Sequence, residues 1–261
     1  SELITTFTTP NNRQHSMGKQ NSSRKQTSVT AMILAAGRGN RLRPYTDQTP
    51  KPLLPVAGKP LIEYHLHKLA QAGVQRVVIN TAWLGEQFPK TLGDGSQYGL
   101  HIDYSHEVEG GLETAGGIIQ ALPLLGDQPF LLINGDVFSE IDYSHWLHVA
   151  RDMQHQPQLA HLCLVATPEF KTAGDFGLSA DNKVSAEGEW TFAGVSVLHP
   201  KLFAGMAPEF LPLAPILRQA MQVGQVTGEC FNGFWSDIGT IERLQAAEVY
   251  WQQKQCSPAG E

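Results

Sequence analysis

Apolar residues along this chain fall into short unbroken runs separated by longer amphipathic stretches. Ala31–Ala36 (AMILAA) is apolar throughout and stops at Gly37. A run with no polar face reads as a strand buried on both sides. Arg76–Asn80 (RVVIN) and Phe130–Ile133 (FLLI) have the same character, and Leu100–Ser105 and Leu162–Ala166 read as further strands. Between the runs the apolar period lengthens to that of a helix. Pro60 opens one that carries Leu61, Ile62, Leu66 and Leu69, and Gly73 closes it. Residues 84–92 read as a short helix in which Pro89 is an awkward member. Glu113–Leu122, His145–Met153, Ala214–Val223 and Ile241–Gln252 read as the others. Residues 175–198 read as two strands around the polar turn Asp181-Asn182-Lys183. Strands and helices that alternate in this way predict an α/β fold: a Rossmann-like, mixed but mostly parallel sheet with helices on both faces.

The pattern also divides the chain. Residues 1–30 are rich in Ser, Thr, Asn and Gln and show no apolar period, so they are expected to be a disordered leader or a cloning remnant. Residues 31–252 read as one domain and residues 253–261 as a C-terminal tail.

Composition narrows the class. The chain has 261 residues, 41% of them hydrophobic, enough to fill a core. A formal charge of −6 argues against a nucleic-acid partner gripped by a broad basic face. No apolar run reaches membrane-spanning length, so no membrane partner is expected. Cys163, Cys230 and Cys256 show no CxxC spacing, which fits a reducing cytoplasm better than a disulfide framework or a zinc site. The ten histidines form no HExxH, and His65 and His67 are two apart, on different faces of their helix.

The informative chemistry follows the first strand. Gly37 and Gly39 begin a loop that lacks the third glycine of a dinucleotide fingerprint, because Leu42 stands there, and it lacks the GK[ST] of a P-loop. From Arg38 to Lys59 lie five cations, Arg38, Arg41, Arg43, Lys51 and Lys59, opposed by Asp47 alone. Isolated charges of this kind usually form a solvated surface. Glycines that let backbone amides approach an anion, in the same loop as countercharge, point instead to phosphate.

The residues from Ala31 to Tyr64 resemble the signature of the sugar-1-phosphate nucleotidyltransferases. Gly37, Gly39, Arg41, Pro44, Thr46, Pro50-Lys51-Pro52 and Gly58 carry the likeness. Leu112-Glu113-Thr114-Ala115-Gly116-Gly117, Asn134-Gly135-Asp136 and Trp235–Thr240 (WSDIGT) resemble later elements of the family. The resemblance implies the nucleotide-diphospho-sugar transferase fold. It places Ala35, Ala36, Gly37, Gly39, Asn40, Arg41, Lys51, Glu113 and Gly116 on the nucleotide. Arg41 then contacts the triphosphate and Lys51 the reacting phosphates, as the catalytic pair. Asn134, Asp175 and Gly177 fall on the sugar, and Asp136 and Asp237 hold Mg2+. Glu113 departs from the glycine common in the family. No hexapeptide repeats occur, so the acetyltransferase domain of bifunctional relatives is not expected.

Within the family, residues 80–85, 92–96, 112–114 and 191–200 are similar to the enzymes that uridylylate N-acetylmuramic acid α-1-phosphate in cell-wall recycling. UTP and that sugar phosphate are thus the implied partners. Guanylyl transfer to mannose 1-phosphate, thymidylyl transfer to glucose 1-phosphate, and an inactive domain of the same fold are the alternatives. Gly174, Gly177, Ala193 and Gly194 are small residues expected to leave room for the lactyl group of the larger sugar.

Overall fold

A computed structural model describes residues 28–257. Most of the expected leader (1–27) and the last part of the expected tail (258–261) lie outside the described residues. In chain order the elements are β1 (Ala31–Leu34), β2 (Pro55–Val56), β3 (Lys59–Pro60), α1 (Leu61–Gln71), β4 (Arg76–Thr81), α2 (Gln87–Leu92), β5 (His101–His106), α3 (Glu113–Leu125) and β6 (Phe130–Asn134). They continue with β7 (Val137–Ser139), α4 (Tyr143–Met153), β8 (Ala160–Ala166), β9 (Phe176–Leu178), β10 (Val184–Leu198), α5 (Leu213–Gln222), β11 (Val226–Cys230), β12 (Trp235–Asp237) and α6 (Ile241–Cys256). No helix among the described residues is long and apolar enough to cross a membrane.

The main sheet runs β11-β8-β10-β6-β1-β4-β5, with β9 added alongside β10. The pairs β6/β1, β1/β4, β4/β5 and β11/β8 are parallel, whereas β10 is antiparallel to both β6 and β8. The central strands β1 and β6 are buried on both faces, which is why they are apolar almost throughout. Ala31, Ile33, Leu131 and Ile133 pack toward Ile62 and Leu66 of α1 and Trp146 and Leu147 of α4. Met32, Phe130 and Leu132, one residue out of phase, pack toward Ile118 of α3 and Leu217 of α5. A third, smaller core lies under α6, where Leu244 and Ala247 meet Leu42, Tyr64, Phe138 and Ile238.

The domain edges differ slightly from the sequence pattern. Val29 is buried in the first core, and the Thr30 carbonyl accepts from Leu131 N at 3.1 Å, so these two residues join the sheet. At the other end α6 continues to Cys256.

Strand order fixes where a ligand fits. From β1 the chain crosses to β4 on one side and later returns to β6 on the other. The loops after β1, β4 and β6 therefore diverge at one sheet edge, opening a crevice at the carboxyl ends of parallel strands. The turn after β6 leads into a short ribbon of β7 and β12. The ribbon is antiparallel, with Val137 opposite Asp237.

Candidate active site

A cleft of about 870 Å³ occupies this edge. Of the residues expected at the site, Ala35, Ala36, Gly37, Gly39, Lys51, Glu113, Asn134 and Asp136 line it. Asn40, Arg41, Gly116, Asp175, Gly177 and Asp237 do not.

Gly39 has φ of 68° in the left-handed region, and a Cβ there would stand 2.9 Å from Thr46 Cγ2. Only glycine meets both demands. Thr46 is wholly buried and donates its hydroxyl to the Gly39 carbonyl at 2.7 Å, which locks the loop. Arg38 donates to the Thr46 carbonyl at 2.9 Å, pairs with Asp47 at 2.7 Å and stacks 3.7 Å over the Trp83 ring. Arg43 also pairs with Asp47, at 2.8 Å. Asp47 is held below the ordinary carboxylate range chiefly by the Arg38 hydrogen bond. Two of the five loop cations thus serve the loop itself, while Lys51 reaches the cleft.

A buried polar network sits behind the nucleotide side, and the sequence reading missed it. Asn80, at the end of β4, accepts from Ala35 N at 2.8 Å and donates to Glu107 Oε2 at 2.7 Å. Glu107 Oε1 accepts from Leu112 N at 2.9 Å. Burial pushes the Glu107 carboxyl up, against these donors. Three cleft walls, after β1, β4 and β5, are tied through two side chains. The Ala35 amide, expected on the nucleotide, is already engaged by Asn80. A Cβ on Gly117 would lie 2.5 Å from Glu107 Oε2, so that glycine makes space for the network. Gly116 meets the Glu209 backbone in the same way and accommodates the neighbouring segment. Glu113 has φ of 60°, a left-handed conformation that glycine adopts without strain.

The backbone segments that carry the two expected metal carboxylates are adjacent. Ile238 N donates to the Asp136 carbonyl at 2.7 Å, bringing the end of β12 against the turn after β6. Lys51 Nζ lies 3.0 Å from Asp136 Oδ2, and Arg243 Nη1 lies 2.6 Å from Asp237 Oδ1. Arg41 approaches the same place, since a Cβ on Gly239 would stand 2.9 Å from its Nη2. Among the described residues no three His, Cys, Asp or Glu side chains gather as a metal cluster. Two carboxylates with no sulfur or imidazole suit a hard cation that completes its shell with phosphate and water. Gly135 fits the turn because its amide pairs with the Leu34 carbonyl at 2.9 Å and leaves a Cβ no space.

On the sugar side the expectations fare less well. Asp175 uses both oxygens within the fold: Oδ1 accepts from Lys171 at 2.6 Å and Oδ2 from Phe192 N at 2.9 Å. The expected room at the small residues is absent. A Cβ on Gly177 would stand 2.7 Å from the Glu187 carbonyl, and Gly174 faces the backbone of Gly188 and Glu189. Ala193 is fully buried. At Gly194, φ of 75° forms a bulge in β10, and Asn134 and Val137 fill the adjacent space. These residues let β9 and β10 approach closely; they do not enlarge a pocket.

A family profile described as nucleotidyl transferase matches residues 30–186. The chain is 52% identical over 226 residues to an N-acetylmuramate α-1-phosphate uridylyltransferase from Neisseria meningitidis serogroup B, covering 85% of this chain and 97% of that one. It is 34% identical over 236 residues to the protein of the same name from Caulobacter vibrioides, covering 86% and 97%. The crystal structure of HddC from Yersinia pseudotuberculosis shares the fold, with a TM-score of 0.71 at 21% identity over 85% of this chain and 99% of that one. The chain therefore belongs to the nucleotidyl transferase family, as a member of the sugar-1-phosphate nucleotidyltransferases.

Proposed function

We propose that this enzyme transfers the uridylyl group of UTP to N-acetylmuramic acid α-1-phosphate and releases pyrophosphate. The observation that carries the substrate pair is the 52% identity, over 97% of its length, to a relative named for that reaction. A sugar-phosphate oxygen attacks the α-phosphorus of UTP. The bond from that phosphorus to the oxygen bridging to the β-phosphate breaks, and pyrophosphate leaves with the electron pair. The nucleophile is already anionic near neutral pH, because a phosphate's second pKa is about 6. No general base is needed. The work lies in bringing two polyanions together and stabilising the leaving group.

In this reading the amides of Ala36 and Gly37 approach phosphate, Lys51 neutralises the reacting groups, and Arg41 takes charge developing on pyrophosphate. The donor set at Asp136 and Asp237 fits magnesium, and those two residues would hold it; when bound, it neutralises phosphate charge. Asn134, on the cleft wall beside Gly194, faces the sugar. Asp175 and Gly177 shape the sugar side through β9 and β10. We place the activity in the cytoplasm, in cell-wall sugar recycling. All three cysteines are free, as a reducing compartment keeps them.

Labelled UTP tests the bond that breaks. Label in the α-phosphate should appear in the sugar nucleotide, and label in the β-phosphate in pyrophosphate. Label from the γ-phosphate alone appearing on the sugar would contradict nucleotidyl transfer.

A further inference from the structure

We infer that Arg243, braced by Phe170, reads the acidic substituent of the sugar substrate. This rests on the proposed substrate, and it replaces the idea that small residues select that sugar by room.

Arg243 lies in the first turn of α6 and packs against the loop between β8 and β9, which also carries Asp175, the residue expected on the sugar. Its Nη1 is 2.6 Å from Asp237 Oδ1, and its Nε is 3.4 Å from Thr240 Oγ1. Its guanidinium stacks 4.2 Å over the Phe170 ring. The side chain is 15% exposed, so the fork is held in one orientation with an edge still reachable from solvent.

Two features do not follow from holding Asp237 alone. First, Arg41 and Arg243 converge on Gly239, which has no space for a Cβ between their tips. Asp237 is the one carboxylate paired with either guanidinium among the described residues. With Arg41 assigned to pyrophosphate, Arg243 keeps an Nη2 that makes no hydrogen bond among the described residues and is open to a further anion. Second, Phe170 is 60% exposed, on the loop between β8 and β9, and belongs to no core cluster. Its ring packs on the face of Arg243. An aromatic plate under a guanidinium fixes its plane, which favours bidentate capture of a carboxylate.

N-acetylmuramic and N-acetylglucosamine 1-phosphates differ by one lactyl ether, hence by one carboxylate. Room at Gly174, Gly177 and Gly194 does not distinguish them, because backbone and side chains fill the space beside these residues. Charge does. Arg243 supplies it within the same shell that carries Asp237.

The test compares the specificity constants of those two sugar phosphates at saturating UTP, in the wild type, Arg243→Lys and Phe170→Ala. Lysine keeps the charge near Asp237 but loses the fork. Both variants should lower the preference for the acidic sugar, Arg243→Lys by at least about tenfold and Phe170→Ala by less. The loss should fall on the KM of the acidic sugar, with the KM for UTP unchanged. An equal loss on both sugars would leave Arg243 a support for Asp237 only and overturn the inference. If Arg243→Lys fails to melt cooperatively, Phe170→Ala decides alone, and an unchanged preference in it overturns the inference. A wild type without preference for the acidic sugar would instead contradict the proposed substrate.

Discussion

The amide of Ile238 donates to the carbonyl of Asp136 across 2.7 Å, joining two segments about a hundred residues apart into one site. The bond belongs to the β7/β12 ribbon, so the placement of Asp237 relative to Asp136 depends on backbone pairing. Changing either carboxylate to alanine should leave that pairing, and the melting transition, nearly intact. Turnover should fall at least about a thousandfold, as expected when a metal that neutralises phosphate charge loses a ligand. Pyrophosphate release followed across a magnesium titration checks this. Near-normal activity of one variant at limiting magnesium removes that residue from the site.

Arg41 stands beside Gly239 and shares that position with Arg243. Arg41→Ala should lower turnover by about a thousandfold, the scale of losing one preorganised group on developing charge. Arg41→Lys should recover only part, since a point charge replaces a planar fork. Steady-state kinetics decides, and full recovery with lysine contradicts the geometric role.

Glu113 opens α3 with φ of 60°. Glycine at this position relieves strain of about 1 kcal/mol, offset in part by the greater freedom of the unfolded chain. Glu113→Gly should therefore leave stability equal or slightly higher in urea unfolding. A loss above about 1 kcal/mol would show that the Glu113 side chain holds the loop more than its backbone strains it.

His65 is buried in α1 with Nδ1 2.8 Å from the Tyr143 hydroxyl, and burial lowers its pKa to about 3. A lowered folded-state pKa means stability is complete above the unfolded value of about 6.5 and is lost as pH falls toward 3. From pH 6.5 to pH 5 this group should cost about 2 kcal/mol. His65→Gln should remove most of that slope. Urea midpoints across this range provide the check, and an equal slope in the variant contradicts the assignment.

The parallel core was legible because β1, β4 and β6 each carry an unbroken apolar run buried on both faces. The shorter strands were not. β11 (VTGEC) and β12 (WSD) mix polar and half-buried residues, and what makes them strands is pairing with β8 and β7, distant in sequence. The glycine loop and Asp136 were legible through their resemblance to the family's elements. Asn80 and Glu107 were not, since a lone amide and a lone acid carry no period. The signal available was a polar residue closing an apolar run, as Asn80 closes RVVIN. The small residues at 174, 177 and 194 were misread for a related reason. Glycine in sequence marks close approach or open space equally, and only the backbone of residues 187–189 shows which.

The most direct measurement is competition among substrates. Equimolar 1-phosphates of N-acetylmuramic acid, N-acetylglucosamine, glucose and mannose are offered with UTP, GTP and dTTP in turn, and each sugar nucleotide is quantified. UTP with N-acetylmuramic acid 1-phosphate should give the highest specificity constant. A higher value for GTP with mannose 1-phosphate, or for dTTP with glucose 1-phosphate, would contradict the proposed substrates and leave the reaction class standing.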